Sequence, residues 1–209
     1  MFVENIMTRD VLHVAPEASF SQVSEIMRLK KVRHVPVIDQ DRKVLGIISH
    51  RDVQRAQPSM ITTLDVGEVK YLLSKITAAD IMHKSVVSCS PRTQIEEAAR
   101  MMRPKKLGCL TVVDDAGRLV GIVTSVDLLD FFLDITGCLM EDTTRIAVHL
   151  PDTIGQLGRL LSTINDAGGY IATVVSPLHP DQTGLRIAVV RYRAGTPRAL
   201  NQHLRDLGY

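Results

Sequence analysis

The sequence has no apolar stretch approaching the roughly 20 consecutive residues that a membrane-spanning helix requires. Residues 1–6 carry neither the basic nor the apolar segment of a secretory signal peptide. Cysteine is scarce: there are three, and no two have CxxC spacing, a pattern typical of buried thiols in a reducing compartment. We therefore expect a cytoplasmic protein with no membrane partner.

The sequence also lacks an excess of charge of one sign. Lysine and arginine together number 25, aspartate and glutamate 23, and the formal net charge is +2. Because both signs are mixed along the chain, it has no electrostatic footprint for nucleic acid. A helix-turn-helix with a basic face is missing too, so we expect no nucleic-acid partner.

The motifs of common catalytic sites are absent. The chain contains no GxSxG, HExxH, GxxxxGK[ST] or GxGxxG segment. Its seven histidines show no metal-ligand spacing with cysteines or carboxylates. We therefore expect a protein that is not an enzyme, with no catalytic residue, no metal site and no catalytic cofactor.

What the sequence does contain is an internal repeat. Residues 6–55 align without a gap on residues 81–130 and share 13 identical positions, where chance would give roughly three. Every matched pair is 75 positions apart. One unit of about 50 residues is marginal alone, so the two copies should pack against each other. The identical pairs include Ile6-Met7 with Ile81-Met82, Pro16 with Pro91, Asp39 with Asp114, Gly46-Ile47 with Gly121-Ile122, and Asp52 with Asp127.

Each copy predicts the element order βαββα. A short strand precedes a proline, and a helix with apolar residues at helical spacing follows. Two nearly continuous apolar strands come next, and a second helix begins after Ser49 or Thr124. The predicted strands are 11–14, 35–38 and 44–48 in the first copy and 86–89, 110–113 and 119–123 in the second. The predicted domains are 1–56 and 79–134, joined by a linker over 57–78 that is helical from Thr63 to Lys75.

The pattern changes in the C-terminal domain, predicted over 143–209. Its order of strand, helix, strand, strand and helix is one strand short of a ferredoxin-like βαββαβ unit. Either the last strand is truncated or a partner supplies the sheet edge. The predicted fold class is therefore α/β in the α+β sense. The predicted strands are 145–150, 170–177 and 185–193, and the helices 155–167 and 197–207.

A hydroxyl and a carboxylate lie three residues apart where a strand meets a helix in both copies. The simpler interpretation is a capping box, with Ser49 or Thr124 as N-cap and Asp52 or Asp127 completing it. A functional interpretation is compatible with the first. A hydroxyl and free N–H groups at a helix start suit a phosphate, and a carboxylate can accept hydrogen bonds from both ribose hydroxyls.

Over residues 4–133 the sequence resembles a tandem pair of cystathionine-β-synthase (CBS) domains. Both copies carry the Gly-hydrophobic-hydrophobic-Ser/Thr-x-x-Asp segment in register, and the first adds a His-Val-Pro-Val strand. The resemblance implies a regulatory module whose clefts bind adenosine-containing ligands such as AMP, ADP, ATP or S-adenosylmethionine. It also implies that adenine packs against Val35-Pro36, that Asp52 or Asp127 holds ribose, and that phosphates meet the hydroxyl and nearby basic residues.

The two copies differ in their basic residues. The first has Arg33 and His34 before the Val-Pro pair and His50-Arg51 beside the aspartate, whereas the second has Gly108-Cys109 and Ser125-Val126. The basic side chains either form a solvated edge or neutralise phosphates. The predicted nucleotide site comprises Arg33, His34, Val35, Pro36, Ser49, His50, Arg51, Asp52, Thr124 and Asp127.

The C-terminal domain resembles an ACT domain, a ferredoxin-like module that senses amino acids, through the segment Leu150-Pro-Asp-Thr-Ile-Gly-Gln-Leu157. The resemblance implies either dimerisation or a ligand carboxylate held by N–H groups at the helix start. Two residues depart from the motif, since Ile154 replaces its usual proline and Tyr170 its usual asparagine. The predicted amino-acid site comprises Asp152, Ile154, Gly155 and Gln156.

Taken end to end, the sequence is similar to the acetoin-utilisation AcuB-type proteins, which implies a regulatory role in short-chain carbon metabolism. We expect a stand-alone allosteric sensor. The alternatives are a ligand-free assembly protein and a regulatory subunit that holds a partner metabolic enzyme. We also expect a homodimer or larger homo-oligomer, formed by apolar helix faces around Met27 and Met102 and by the exposed sheet edge.

Overall fold

The structure of the protein is a computed structural model, which describes residues 1–57 and 65–209. The chain forms two compact units, Met1–Leu129 and Asp130–Tyr209. Both units combine small sheets with helices, which confirms the predicted α+β fold class. Among the described residues, none of the helices combines the length and the apolar character needed to cross a bilayer.

The first repeat has the predicted helix and strand pair. A 3-10 turn at Val3–Asn5 precedes α1 (Phe20–Lys30), β1 (His34–Ile38), β2 (Val44–Ser49) and α2 (His50–Ala56). Ser19 caps α1 by accepting a hydrogen bond from the Gln22 N–H. The antiparallel pairing of β1 with β2 sets His34 opposite Ser49, at the end of the sheet where α2 begins.

A linker helix and the second repeat follow. The linker helix α3 (Val66–Lys75) is capped by Asp65, so it begins three residues after the predicted start, and Thr63 and Leu64 lie outside the described residues. The second repeat contains α4 (Ala78–Ile81), β3 (Ser88–Cys89), α5 (Ile95–Lys105), β4 (Cys109–Val113), β5 (Leu119–Thr124) and α6 (Ser125–Ile135).

The first predicted strand of each repeat is shorter than expected. In the first repeat, residues 11–14 form a single parallel bridge, between Val14 and Val37. In the second repeat the strand is reduced to β3, which pairs with β4. Pro36 has no N–H with which to extend the ladder, whereas Thr111 at the matching position keeps its N–H. The proline therefore accounts for the more complete loss of the strand in the first repeat.

The segments that lead into the repeats, residues 1–8 and 76–83, cross over to the other repeat. Thr8 exchanges two main-chain hydrogen bonds with Ile122 of β5, at 2.9 and 3.0 Å. His83 exchanges two with Ile47 of β2, also at 2.9 and 3.0 Å. Thr8 and His83 are matched positions of the repeat, and so are Ile47 and Ile122. The two repeats are thus joined by an equivalent pair of bridges.

The lead-in segments also complete the two hydrophobic cores crosswise. Val3 is fully buried beside Met102 and Leu110 in the core of the second repeat. Ala78 is fully buried in the core of the first repeat, which also includes Val23. Because each core needs residues from the far side of the linker, neither repeat has a complete core without the other.

Two methionines that were expected to drive association lie instead inside these cores. Met27 and Met102 are each only 4% exposed, so their side chains cannot form an apolar helix face toward a partner. On α6, by contrast, the apolar side chains of Val126, Leu129, Phe132 and Ile135 are exposed.

The C-terminal unit contains β6 (Thr144–Pro151), α7 (Gln156–Asp166), β7 (Tyr170–Val175), β8 (Leu185–Arg193) and α8 (Pro197–Asp206). The sheet order is β6-β8-β7, and β8 runs antiparallel to both neighbours. This order is that of the first three strands of a ferredoxin-like βαββαβ unit. Within the described residues, β6 pairs only with β8 and its outer edge is unpaired.

Glycine is needed where the crossing segments pass over the strands. A Cβ atom at Gly46 would lie 2.7 Å from Met82 Cγ, and one at Gly121 would lie 2.5 Å from Met7 Sδ. We therefore expect Gly46→Ala to lower the free energy of unfolding of the first unit by about 1–3 kcal/mol in urea, because the core must shift. Combining it with Met82→Ala should recover part of that loss.

The matched control is Gly158→Ala in α7. A Cβ atom there meets nothing within 4 Å, so this substitution should be neutral or stabilising by up to about 1 kcal/mol. Equal changes in unfolding free energy for Gly46→Ala and Gly158→Ala would contradict the conclusion that the packing of Met82 requires a glycine at position 46.

Candidate functional site

The candidate site begins at the first junction, where β2 meets α2. Asp52 Oδ2 accepts hydrogen bonds from the Ser49 N–H at 2.8 Å and from the Ser49 Oγ–H at 2.5 Å. These are the contacts of a capping box, with the aspartate in the third position of the helix. The predicted capping role is therefore present, and it leaves the other carboxylate oxygen, Oδ1, facing away from Ser49.

Asp52 Oδ1 has a partner that the sequence reasoning missed. His83 Nε2 lies 2.9 Å from it, and His83 belongs to the lead-in segment of the second repeat. The main-chain bridge between His83 and Ile47 holds this histidine over β2. The alignment of the two repeats could have drawn attention to His83. It pairs His83 with Thr8, one position after the identical Met7 and Met82.

Asp52 is buried, yet its carboxyl group is held in the ionised form. Burial alone would raise the pKa of Asp52, but the hydrogen bonds from Ser49 and His83 outweigh it and lower that pKa below the usual aspartate value. The carboxylate therefore carries a full negative charge at neutral pH, as a partner for ribose hydroxyls would need.

The second junction, where β5 meets α6, repeats the capping contacts. Asp127 Oδ2 accepts hydrogen bonds from the Thr124 N–H at 2.6 Å and from the Thr124 Oγ1–H at 2.8 Å. In the described part of the chain, Asp127 Oδ1 accepts no hydrogen bond, and Asp127 is more exposed than Asp52. The two junctions thus share their backbone geometry and differ in what faces the second carboxylate oxygen.

The structure brings several predicted basic residues to the first junction. The His50 N–H donates to the Arg33 carbonyl oxygen at 2.9 Å, which sets the start of β1 beside the start of α2. The side chains of Arg33, His50 and Arg51 are exposed. They can meet an anionic group placed at this helix start.

His34 differs from these basic neighbours. A Cβ atom at Gly108 would lie 2.7 Å from two atoms of its ring, so the imidazole packs against the second repeat. Burial lowers the pKa of His34, the cationic Arg33 lowers it further, and Asp52 opposes both effects. His34 is therefore harder to protonate than an exposed histidine, which weighs against its predicted role in neutralising a phosphate.

Val35 and Pro36 occupy the strand expected to contact adenine. The Val35 side chain is fully buried in the core of the first repeat, so it cannot line a cleft. The Val35 main chain is paired with Ile48 of β2, and the Pro36 carbonyl oxygen accepts a hydrogen bond from the Val14 N–H at 3.1 Å.

The predicted amino-acid site forms one turn between β6 and α7. The Asp152 carboxylate accepts a hydrogen bond from Arg186 Nε at 2.9 Å, and the Asp152 N–H donates to the Gly184 carbonyl oxygen at 2.7 Å. Gly155 has a φ of +85°, which explains the glycine, and the Ile154 side chain is fully exposed. Asp152 thus ties the turn to β8, and Gln156 begins the helix.

The capping contacts of the first junction predict a pH-dependent effect of Ser49→Ala. We expect this variant to lower the free energy of unfolding by about 1 kcal/mol at pH 7. Because the pKa of Asp52 is depressed in the folded state, its stabilising effect is present above the unfolded pKa and is lost as pH falls through the folded value. The difference from the unsubstituted chain should therefore shrink in acid.

Chemical unfolding between pH 7 and pH 3 measures this effect. Ser125→Ala is the matched control, because Ser125 is exposed and its side chain makes no hydrogen bond within the described residues. A difference for Ser49→Ala that stays constant with pH would mean that the hydroxyl does not act through the carboxylate.

Comparison with curated proteins finds relatives of very different length. The inosine-5'-monophosphate dehydrogenase of Methanocaldococcus jannaschii is 30% identical over 126 residues, which are 60% of this chain and 22% of that enzyme. The chain therefore spans less than a quarter of the length of this enzyme.

Three solved structures are similar over about two thirds of the chain. A Vibrio cholerae protein assigned to acetoin utilization (AcuB) has 30% identity and a TM-score of 0.56, covering 68% of this chain and 96% of its own. CBSX2, a protein of Arabidopsis thaliana, in complex with AMP has 30% identity and a TM-score of 0.54, covering 64% and 97%. The CBS domain pair of protein MJ0100, in complex with 5'-methylthioadenosine and S-adenosyl-L-methionine, has 25% identity and a TM-score of 0.53, covering 63% and 95%.

The family assignment follows from the repeat, its crossed packing and these similarities together. The family model of the CBS domain matches residues 3–59 and 78–134, which are more than half of the chain, and the chain therefore belongs to the CBS domain family.

Proposed function

We propose that this chain is a non-enzymatic regulatory protein that senses an adenosine-containing ligand through its CBS pair. The observation that carries the proposal is the duplicated junction, in which Asp52 and Asp127 each present a carboxylate at a helix start. A carboxylate can accept hydrogen bonds from ribose hydroxyls, and the helix start and its exposed basic residues suit a phosphate.

The ligands of similar proteins support the choice of chemistry. CBSX2 was solved with AMP, and the CBS pair of MJ0100 with 5'-methylthioadenosine and S-adenosyl-L-methionine. All three contain adenine on a ribose ring with both the 2'- and 3'-hydroxyls, and they differ in the group carried at the 5' carbon. We therefore propose AMP, ADP, ATP or S-adenosylmethionine as the regulatory ligand of this chain.

The crossed pairing offers a route from ligand binding to regulation. Asp52 belongs to the first repeat and its partner His83 to the lead-in segment of the second. A ligand on Asp52 that prefers one arrangement of this contact would bias how the repeats meet. The similarity to the Vibrio cholerae AcuB protein supports acetoin or other short-chain carbon metabolism as the process regulated.

For the C-terminal unit we propose an ACT-like role in dimerisation or in binding an amino acid. Its sheet order supports the comparison with a ferredoxin-like module. Since Asp152 Oδ1 and the Asp152 N–H are already bonded within the unit, dimerisation through the edge of β6 that is unpaired within the described residues is the better supported of the two roles.

The proposal predicts that both junction carboxylates are needed for ligand binding. In calorimetric titration of the full chain with AMP, Asp52→Ala or Asp127→Ala should each weaken binding at the altered junction at least tenfold, because hydrogen bonds to a charged acceptor are lost. The double variant should show no measurable binding.

Asp115→Ala is the control, because Asp115 is an exposed carboxylate in the turn between β4 and β5. It removes the same charge from the first unit and should bind like the unsubstituted chain. AMP affinity that survives the double substitution would refute the assignment of both carboxylates.

We further propose that the protein is a homodimer. The exposed apolar side chains of α6 and the unpaired edge of β6 support association with a second copy. Light scattering of the full chain should give twice the mass of one chain.

A charge placed on the apolar face of α6 tests whether this face forms the contact between the two copies. Phe132→Glu should weaken association, because it buries a charge in the contact, whereas Gln40→Glu adds the same charge at an exposed turn and should leave the dimer unchanged. A monomeric unsubstituted chain would refute the homodimer.

A further inference from the structure

The two junctions present different numbers of free acceptor sites to a ligand. An ionised carboxylate has about four lone-pair sites, two on each oxygen. At both junctions, Oδ2 already accepts two hydrogen bonds, from the main chain and from the hydroxyl of the capping residue. Any hydroxyl of a ligand must therefore donate to Oδ1. The number of free acceptor sites on Oδ1 then sets how many ligand hydroxyls the junction can bind.

At the first junction, Oδ1 is partly occupied. His83 Nε2 lies 2.9 Å from Asp52 Oδ1, which leaves one acceptor site on that oxygen. At the second junction the matched residue is Thr8. Within the described residues, the Thr8 side chain makes no hydrogen bond and Asp127 Oδ1 keeps both acceptor sites. A pair of ribose hydroxyls needs two sites, so only the second junction can accept both without losing a contact.

The position of His83 makes this difference a built-in property of the fold. Its main chain is fixed by two hydrogen bonds to Ile47, in the same bridge that Thr8 forms with Ile122. Met82, the preceding residue, packs over Gly46. The backbone therefore places the imidazole beside Asp52, although the side chain itself is 62% exposed.

We propose that His83 is a specificity-determining residue. It weakens binding of the two ribose hydroxyls at the first junction, so that the second junction binds them more strongly. This inference rests on the proposed function, since it assumes that an adenosyl ligand binds at the junctions. At the first junction, a second hydroxyl can bind Oδ1 only by displacing His83, and the lost contact offsets the new one.

The two junctions then favour different parts of the same class of ligand. The first has Arg33, His50 and Arg51 for phosphate and a shared carboxylate for ribose. The second has Ser125 and Val126 in place of His50 and Arg51, and an open carboxylate oxygen. It therefore suits adenosyl ligands that are held mainly through the ribose.

Removing one hydroxyl from the ligand tests this directly. Calorimetric titration of the full chain compares AMP with 3'-deoxy-AMP, using Asp127→Ala to isolate the first junction and Asp52→Ala to isolate the second. We expect the deoxy ligand to bind about tenfold or more weakly at the second junction, and less than threefold more weakly at the first.

Exchanging the matched residues should exchange this behaviour. His83→Thr at the first junction should raise the loss on deoxygenation to about tenfold, and Thr8→His should reduce it at the second. Threonine already occupies position 8 in an identical main-chain bridge, so the exchange preserves the backbone contact. His83→Gln keeps a donor to Asp52 and should behave like the unsubstituted first junction.

The outcomes separate this inference from the proposed function. If AMP does not bind the unsubstituted chain, the proposed function and this inference both fail. If AMP binds but His83→Thr leaves the ratio of AMP to 3'-deoxy-AMP affinity unchanged, the role of His83 is refuted and the proposed function stands.

Discussion

Main-chain hydrogen bonds between each lead-in segment and the second strand of the other repeat hold the CBS pair of this protein together. Thr8 with Ile122 and His83 with Ile47 form the same antiparallel bridge twice. The repeated glycines at 46 and 121 follow from this constraint, because the crossing methionines leave no room for a Cβ atom. The cores depend on it as well, since Val3 and Ala78 are each buried in the opposite repeat.

Within this symmetric frame, the chemistry of the two junctions has diverged. Asp52 and Asp127 each accept hydrogen bonds from the main-chain N–H and the hydroxyl of their own capping residue. The side chains of the lead-in segments differ, because His83 contacts Asp52 whereas, within the described residues, the Thr8 side chain makes no hydrogen bond to Asp127. The two junctions can thus differ in chemistry while keeping one fold, since Thr8 and His83 form the same main-chain bonds whatever their side chains.

The repeat allowed most of the first unit to be predicted. Apolar periodicity identified the helices around Val23 and Ala98, and the spacing of Ser49 and Asp52 identified the capping box. Two predictions needed correction. Pro36, which has no N–H, shortened a strand, and Met27 and Met102 lie inside the cores. Burial against the second repeat also lowers the pKa of His34, which no local pattern indicated.

The sequence by itself determined the duplication, the element order and the position of both junctions, because these depend on local pattern and on a register that can be read without coordinates. Only the tertiary structure decided which repeat each lead-in segment completes, and therefore that His83 meets Asp52 across 31 positions of the chain. Periodicity reports which side of an element is buried. It carries no information about which of two similar surfaces will cover it, and here that choice depends on how the two repeats exchange their lead-in segments.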